Sequence, residues 1–214
     1  MSAPPARSTL HANGLQCVRG DRRVFDGVAF DLTSGGLLQV SGPNGSGKTS
    51  LLRIVCGLLQ PAAGRIEWNG HGIRALGEEY NQNLAYVGHL NGVKDELRVS
   101  ENLRIGAQLA GVSATDEAIT ATLHEFSFRG LENLPCKFLS QGQKRRLALA
   151  RLRLSGTRPI WVLDEPFAAL DTAGVEVVRL VLEEHLERGG LALLTTHQEV
   201  AIAAPNVQRV ELGE

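Results

Sequence analysis

The chain has 214 residues, 43% of them hydrophobic and 21% charged, and its 22 Lys and Arg nearly balance 23 Asp and Glu for a formal charge of -1. This is the composition of one folded domain with room for an insertion, not of a disordered chain, and it excludes recognition of nucleic acid by bulk basicity. The longest apolar runs, such as Ile160 to Leu163 and Leu191 to Leu194, fall far short of the roughly 20 residues a membrane helix needs, so the chain is not expected to span a bilayer itself.

The opening MSAPPARSTLHANG carries no apolar h-region, which predicts a cytoplasmic chain rather than a secreted one, with the Pro/Ala/Ser-rich first nine residues as a frayed tail. Leu10 to Val18 and Val24 to Leu32 read as two β-rich runs folded into a hairpin around Arg19 to Arg23. A short buried strand follows at Leu37 to Ser41, then the glycine-rich Gly42 to Gly47, then helical spacing from Ser50 to Cys56 stopped by Gly57. Gly64 to Gly70 reads as a strand ending in an Asn-Gly turn, and Leu84 to Val87 as another strand.

From about residue 99 to 155 the period becomes helical, over Glu101 to Ala110, Asp116 to Phe126 and Gln143 to Leu154, with Ser100 as the expected N-cap of the first helix. Strand character returns at Ile160 to Leu163, a helix is predicted over Gly174 to Glu187, and Leu191 to Thr195 and Val207 to Leu212 complete the set. Strands alternating with helices predict an α/β fold built on a mostly parallel sheet, with an N-terminal antiparallel β-subdomain and an inserted helical subdomain. Cys17, Cys56 and Cys136 are odd in number and unclustered, which argues against a disulfide framework or a zinc knuckle and reads as three buried or incidental thiols. His11, His71, His124 and His185 read as surface or turn residues, and no set of histidines has the look of haem ligands.

Gly42-Pro43-Asn44-Gly45-Ser46-Gly47-Lys48-Thr49 fits G-x-x-x-x-G-K-[ST] at every fixed position and sits between a strand and a helix, where backbone N–H groups converge on an anion. Lys48 would reach the β/γ-phosphates of a nucleotide and the Thr49 hydroxyl would ligate Mg²⁺. The second element is Ile160-Trp161-Val162-Leu163-Asp164-Glu165, an apolar strand ending in two acids. Asp164 is the candidate for holding Mg²⁺, and Glu165 for orienting or deprotonating the attacking water.

Leu139-Ser140-Gln141-Gly142-Gln143, followed by Lys144 to Arg151, resembles the signature helix of ABC-type ATPases, and it lies 21 residues before Asp164 as in that family. Ala168-Ala169-Leu170-Asp171 resembles the D-loop, and His197 in Leu193-Leu194-Thr195-Thr196-His197 the switch histidine. The resemblance implies a single ABC ATPase domain over residues 1–214, with ATP contacts along the loop through Thr49 and Ser50. A second contact set, Ser140, Gly142 and Gln143, would serve an ATP held by another copy, in a head-to-tail dimer. Lys48, Glu165 and His197 would carry catalysis, and Asp171 would couple the two sites.

The pattern has departures. His89 stands where the family has Gln, and one hydrogen bond per ring nitrogen would replace the amide at the Mg²⁺/water site. Arg19 stands where an aromatic stacks on adenine, and a guanidinium can also stack on a π face. Gln141 replaces a signature glycine, and Lys144-Arg145-Arg146 reads as a solvated face of that helix.

The run from Glu79 to His89, with Gly92-Val93-Lys94 and Glu101-Asn102-Leu103, resembles the ATP-binding subunits of bacterial haem exporters in cytochrome c maturation, as do the small size and the Leu-Thr-Thr-His-Gln ending at Gln198. That resemblance implies a peripheral subunit on the cytoplasmic face of the inner membrane, with integral haem-handling membrane subunits and, indirectly, a periplasmic haem chaperone as partners. Leu90, Val93 and Leu97 would be apolar contacts for a membrane subunit or simply core. An ABC ATPase with another cargo, and a soluble ATP-dependent clamp, stay open as alternatives at this point.

Overall fold

The computed structural model describes residues 8–155 and 158–213; the tail expected over the first nine residues falls mostly outside them. In chain order the elements are β1 (Thr9–Arg19), β2 (Arg22–Thr33), β3 (Gly36–Ser41), α1 (Lys48–Val55), β4 (Ala63–Trp68), β5 (His71–Gly72), α2 (Ile73–Leu76), α3 (Glu78–Gln82) and β6 (Leu84–Val87). They continue with α4 (Val99–Leu109), α5 (Asp116–Glu125), α6 (Gln141–Ala150), β7 (Ile160–Asp164), α7 (Thr172–Glu187), β8 (Leu191–Thr195) and β9 (Asn206–Glu211).

Two sheets form, a four-stranded one in the order β2-β1-β4-β5 and a five-stranded one in the order β6-β7-β8-β3-β9. The first is antiparallel throughout, and in the second β7, β8, β3 and β9 pair in parallel. Every residue of β7 and β8 is buried. Central parallel strands are covered on both faces, so they read as unbroken apolar runs. The antiparallel strands show instead an inward set interrupted by outward residues: Leu10 and Ala12, then Leu15 and Cys17 after a register shift, are buried along β1.

The chain divides into two compact units. The first holds the residues up to Tyr86, Arg158–Glu165 and those from Leu182 on, and its core joins β1, β2, β4, α1 and the inner strands through Leu10, Phe30, Leu51, Ile66, Val162 and Leu193. The second holds Val87–Thr157 and Pro166–Val181. There α4, α5 and α6 pack on one another around Leu103, Leu123, Phe126, Phe128 and Leu147, all fully buried.

One expected cap is corrected. The N-cap of α4 is Arg98, not Ser100, and the helix starts at Val99. The Arg98 N–H donates to Glu101 Oε2 (2.8 Å), while the Val99 and Ser100 N–H groups donate to the Leu134 and Glu132 carbonyls (3.1 and 3.0 Å). A neighbouring loop thus satisfies the orphan donors that a Ser hydroxyl would otherwise take. Asn102, 3% exposed, completes the anchor: its Oδ1 accepts from Lys94 N (2.8 Å) and its Nδ2 donates to Lys94 O (2.9 Å), so one side-chain amide closes both main-chain groups of Lys94.

His185 is also corrected. It is not a surface residue but half-buried, stacked on Trp161 with ring centroids 3.8 Å apart and planes 6° from parallel. Burial pushes its pKa down from 6.5 to about 4. The folded protein therefore holds a neutral imidazole where the unfolded chain, below its ordinary pKa, takes up a proton. Stability contributed by this site is complete above about pH 6.5 and is lost as pH falls toward about 4, by at most ~1.4 kcal/mol per pH unit. The gap in Tm between the wild type and His185→Gln is expected to narrow from about pH 7 to about pH 5. A gap that stays constant in thermal melts contradicts the buried neutral ring. Cys17, Cys56 and Cys136 are free and buried, as the sequence predicts.

Candidate active site

β3 delivers the chain to residues 42–47, and α1 begins directly after them at Lys48. Gly42 has φ 136°, and a Cβ there would lie 2.2 Å from the Leu212 carbonyl oxygen; Gly47 has φ 102°, and a Cβ there would lie 2.5 Å from Val24 Cγ1. Only glycine fits either place, so the loop is held tight between the last strand and the antiparallel sheet. Ser46 Oγ is buried without a hydrogen-bond partner. Lys48, 8% exposed, donates from Nζ to the Gly42 and Pro43 carbonyls (2.7 and 3.2 Å). A buried hydroxyl in want of a partner and an ammonium curled over its own loop, at the first turn of an eight-residue helix, fit a phosphate. Pro43, Asn44 and Gly45 form the rim of the loop, and Ser50 is buried in the first turn of α1.

The ends of β3, β7 and β8 lie level, since Thr195 pairs with Val40 on one side and with Asp164 on the other. Across that edge the Thr49 hydroxyl donates to Asp164 Oδ2 (2.8 Å) and the Thr195 hydroxyl to Asp164 Oδ1 (2.8 Å). The Glu165 N–H in turn donates to Thr195 Oγ1 (2.9 Å). Glu165 has φ 52°, the left-handed region, which costs a side-chain-bearing residue about 1 kcal/mol or more and persists only where the surroundings enforce it. Its carboxylate accepts from the His197 N–H at Oε2 (3.3 Å), and His197 Nε2 lies 3.4 Å from Oε1. The structure therefore brings together Lys48, Thr49, Asp164, Glu165 and His197 from segments up to about 150 residues apart.

Thr195 is the site residue that motif spacing does not reveal, and its one signal in the sequence is a hydroxyl at the end of an otherwise apolar strand. Thr195→Val keeps shape and burial but strips the Glu165 N–H of its acceptor and Asp164 of a donor. ATP turnover is expected to fall about tenfold, with about 1–3 kcal/mol of stability lost. Steady-state kinetics beside a denaturant melt check both, and unchanged turnover contradicts a role for Thr195 in orienting the acids.

In the second unit Ser140 is the N-cap of α6. Its Oγ accepts from Gln143 N (3.2 Å) and Gln143 Oε1 accepts from Ser140 N (2.8 Å), a reciprocal capping box that Gln141 leaves intact. A Cβ on Gly142 would lie 2.4 Å from the Ala169 carbonyl oxygen, so this glycine is required by the D-loop packed on it. Asp171 Oδ1 accepts from Gly174 N (2.8 Å) at the start of α7. His89 is exposed, and Arg19 is exposed opposite Arg22 at the closed end of the β1–β2 hairpin. Of the three loop contacts read from the sequence, Leu90 is 86% exposed, while Val93 and Leu97 are half-buried.

The expected solvated face at Lys144 to Arg146 is overturned. Arg145 is only 4% exposed, Lys144 pairs with Asp95 (2.6 Å), and the Arg146 guanidinium lies 5.7 Å from the centroid of the Phe128 ring. Helical periodicity alone does not separate these residues from solvent, because partners such as Asp95, 49 residues before Lys144, are distant in sequence. No helix among the described residues is long and apolar enough to cross a membrane.

A phosphate loop opening onto paired acids at one sheet edge, together with a capped Ser-x-Gly-Gln helix, defines a P-loop ATPase of the ABC type. Residues 25–168 match the ABC transporter family model. The chain is 53% identical to the cytochrome c biogenesis ATP-binding export protein CcmA of Nitrosospira multiformis over 95% of this chain and 98% of that one. It is 49% identical to the protein of the same name from Dechloromonas aromatica, over 95% and 100%. Among solved structures, a putative ABC transporter ATP-binding protein from Pyrococcus furiosus superposes with a TM-score of 0.81 at 26% identity, over 94% of this chain and 96% of that one. The chain belongs to the ABC transporter family, in the branch of the cytochrome c biogenesis ATP-binding export proteins.

Proposed function

We propose that this chain is the ATP-hydrolysing subunit of a membrane complex on the cytoplasmic face of the bacterial inner membrane, powering haem export or the release of a haem-loaded periplasmic chaperone in cytochrome c biogenesis. The names of its relatives support the pathway, and the contact network around Asp164 and Glu165 supports the chemistry. The whole chain acts as a single ABC ATPase domain with a helical subdomain over about 99–155.

In this reading the backbone N–H groups from Pro43's successor Asn44 through Thr49, with Ser50 and the Lys48 ammonium, bind the β/γ-phosphates at the start of α1. The Thr49 hydroxyl and the Asp164 carboxylate are oxygen donors of the kind Mg²⁺ takes, and the ion, when bound, neutralises charge developing on the phosphates. Glu165 accepts the proton of the attacking water, and His197 orients that carboxylate and contacts the γ-phosphate. Arg19 stacks on the base, and His89 supplies one ring nitrogen near the water. Ser140, Gly142 and Gln143 bind the ATP held by a second copy, so two chains close head to tail with Asp171 between the sites.

The observation that carries this reading is Glu165 itself, held in the left-handed region between Thr195 and His197. The test is haem staining of c-type cytochromes in cells deleted for the chain and supplied with wild type or Lys48→Ala. Restoration by the wild type alone is expected; full restoration by Lys48→Ala, or normal cytochromes without the chain, contradicts it.

A further inference from the structure

Burying a guanidinium is expensive, and a buried ion is weak evidence for stability. α6 nevertheless carries one at Arg145 and, in the turn that extends it, a half-buried one at Arg151, and both donate to one loop. Arg145 donates from Nη1 to Gly88 O (2.8 Å) and to Asn91 Oδ1 (3.2 Å). Arg151 donates from Nη1 to Asn91 O (3.3 Å) and from Nη2 to Gly92 O (2.8 Å), and burial lowers its pKa. The acceptors bracket His89 and Leu90, whose own side chains point out to solvent. Lys144, bonded to Asp95 Oδ1 (2.6 Å), ties the same segment further along.

An apolar anchor would hold a loop against a helix at lower cost. Loop oxygens gripped by planar, directional donors, two from Nη1 of Arg145 and two from the fork of Arg151, instead fix the loop's position and the angle at which residue 89 leaves it. Ser140 lies at the other end of the same rigid helix. We infer that Arg145 and Arg151 are positioning residues that lock the His89 loop to α6, so that His89 and the Ser140 end of the helix move as one piece. This rests on the reading above that His89 serves the hydrolytic site.

The test is a double-mutant cycle on ATP hydrolysis by the full chain, with His89→Ala, Arg145→Lys and their combination, each checked by thermal melting. Lysine keeps the charge but lacks the planar guanidinium that fixes the direction in which Nη1 reaches Gly88 and Asn91. His89→Ala and Arg145→Lys are each expected to lower kcat about tenfold with KM for ATP within about twofold, and the double variant to be no slower than the slower single one. A purely structural arginine would instead multiply the two losses, and that result overturns the inference while leaving His89 in place. Unchanged kcat in Arg145→Lys overturns it likewise. Unchanged kcat in His89→Ala removes His89 from the site and the inference with it. Should Arg145→Lys not fold, Arg151→Lys, which loosens Asn91 and Gly92, runs the same cycle with the same outcomes.

Discussion

Glu165→Gln is expected to lower ATP turnover by about 10² to 10⁴-fold while leaving nucleotide affinity and the fold intact, because the amide keeps the shape of the side chain but cannot take a proton. The left-handed backbone at Glu165 and the bond its N–H donates to Thr195 Oγ1 are independent of the carboxylate, so the loop keeps its form in the variant. His197 reaches the carboxylate twice, through its main-chain N–H to Oε2 (3.3 Å) and with Nε2 3.4 Å from Oε1, and an amide oxygen accepts the main-chain bond equally well. With hydrolysis stopped and binding retained, ATP would hold two copies closed. Single-turnover kinetics with ATP, and the ATP-dependent elution volume of the variant, measure the two effects. Turnover at the wild-type rate contradicts the role of Glu165 as base, and slow turnover with lost ATP binding contradicts the division of labour between Glu165 and the phosphate loop.

Lys48→Ala is expected to weaken ATP binding about 10 to 10²-fold. The estimate follows from charge-assisted hydrogen bonds worth about 1.5–3 kcal/mol. In the free protein the ammonium is not idle: it satisfies the Gly42 and Pro43 carbonyls, and its removal leaves those oxygens to water at a loop that is otherwise fixed by Gly42 and Gly47. A small loss of stability therefore accompanies a large loss of affinity. Titration with a fluorescent nucleotide separates them, and wild-type affinity in Lys48→Ala contradicts the assignment of residues 42–49 as the phosphate loop.

Much of this site is legible in the sequence because its chemistry is local. The phosphate loop needs a strand, glycines at fixed places and a helix start, all within residues 36–49, and β7 announces itself by five buried residues ending in acid. What the sequence hides depends on residues far apart. Thr195 has no local reason to matter until β8 lies between β3 and β7. Arg145 reads as one of three basic residues on a helix until the loop at 88–92 offers it oxygens. His185 reads as one more polar residue near a helix end until Trp161 covers it. The short helices α2 and α3, four and five residues long, carry too few turns to show a period at all.

The most direct test of the proposed function is affinity capture of the tagged chain from detergent-solubilised membranes of its own source, with identification of what co-elutes and an absorbance spectrum of the eluate. Integral membrane subunits bearing a haem spectrum are expected, with both absent from the eluate when those subunits are deleted. Capture of an unrelated permease without haem, or of no membrane subunit at all, contradicts the assignment to haem delivery and leaves only the ATPase standing.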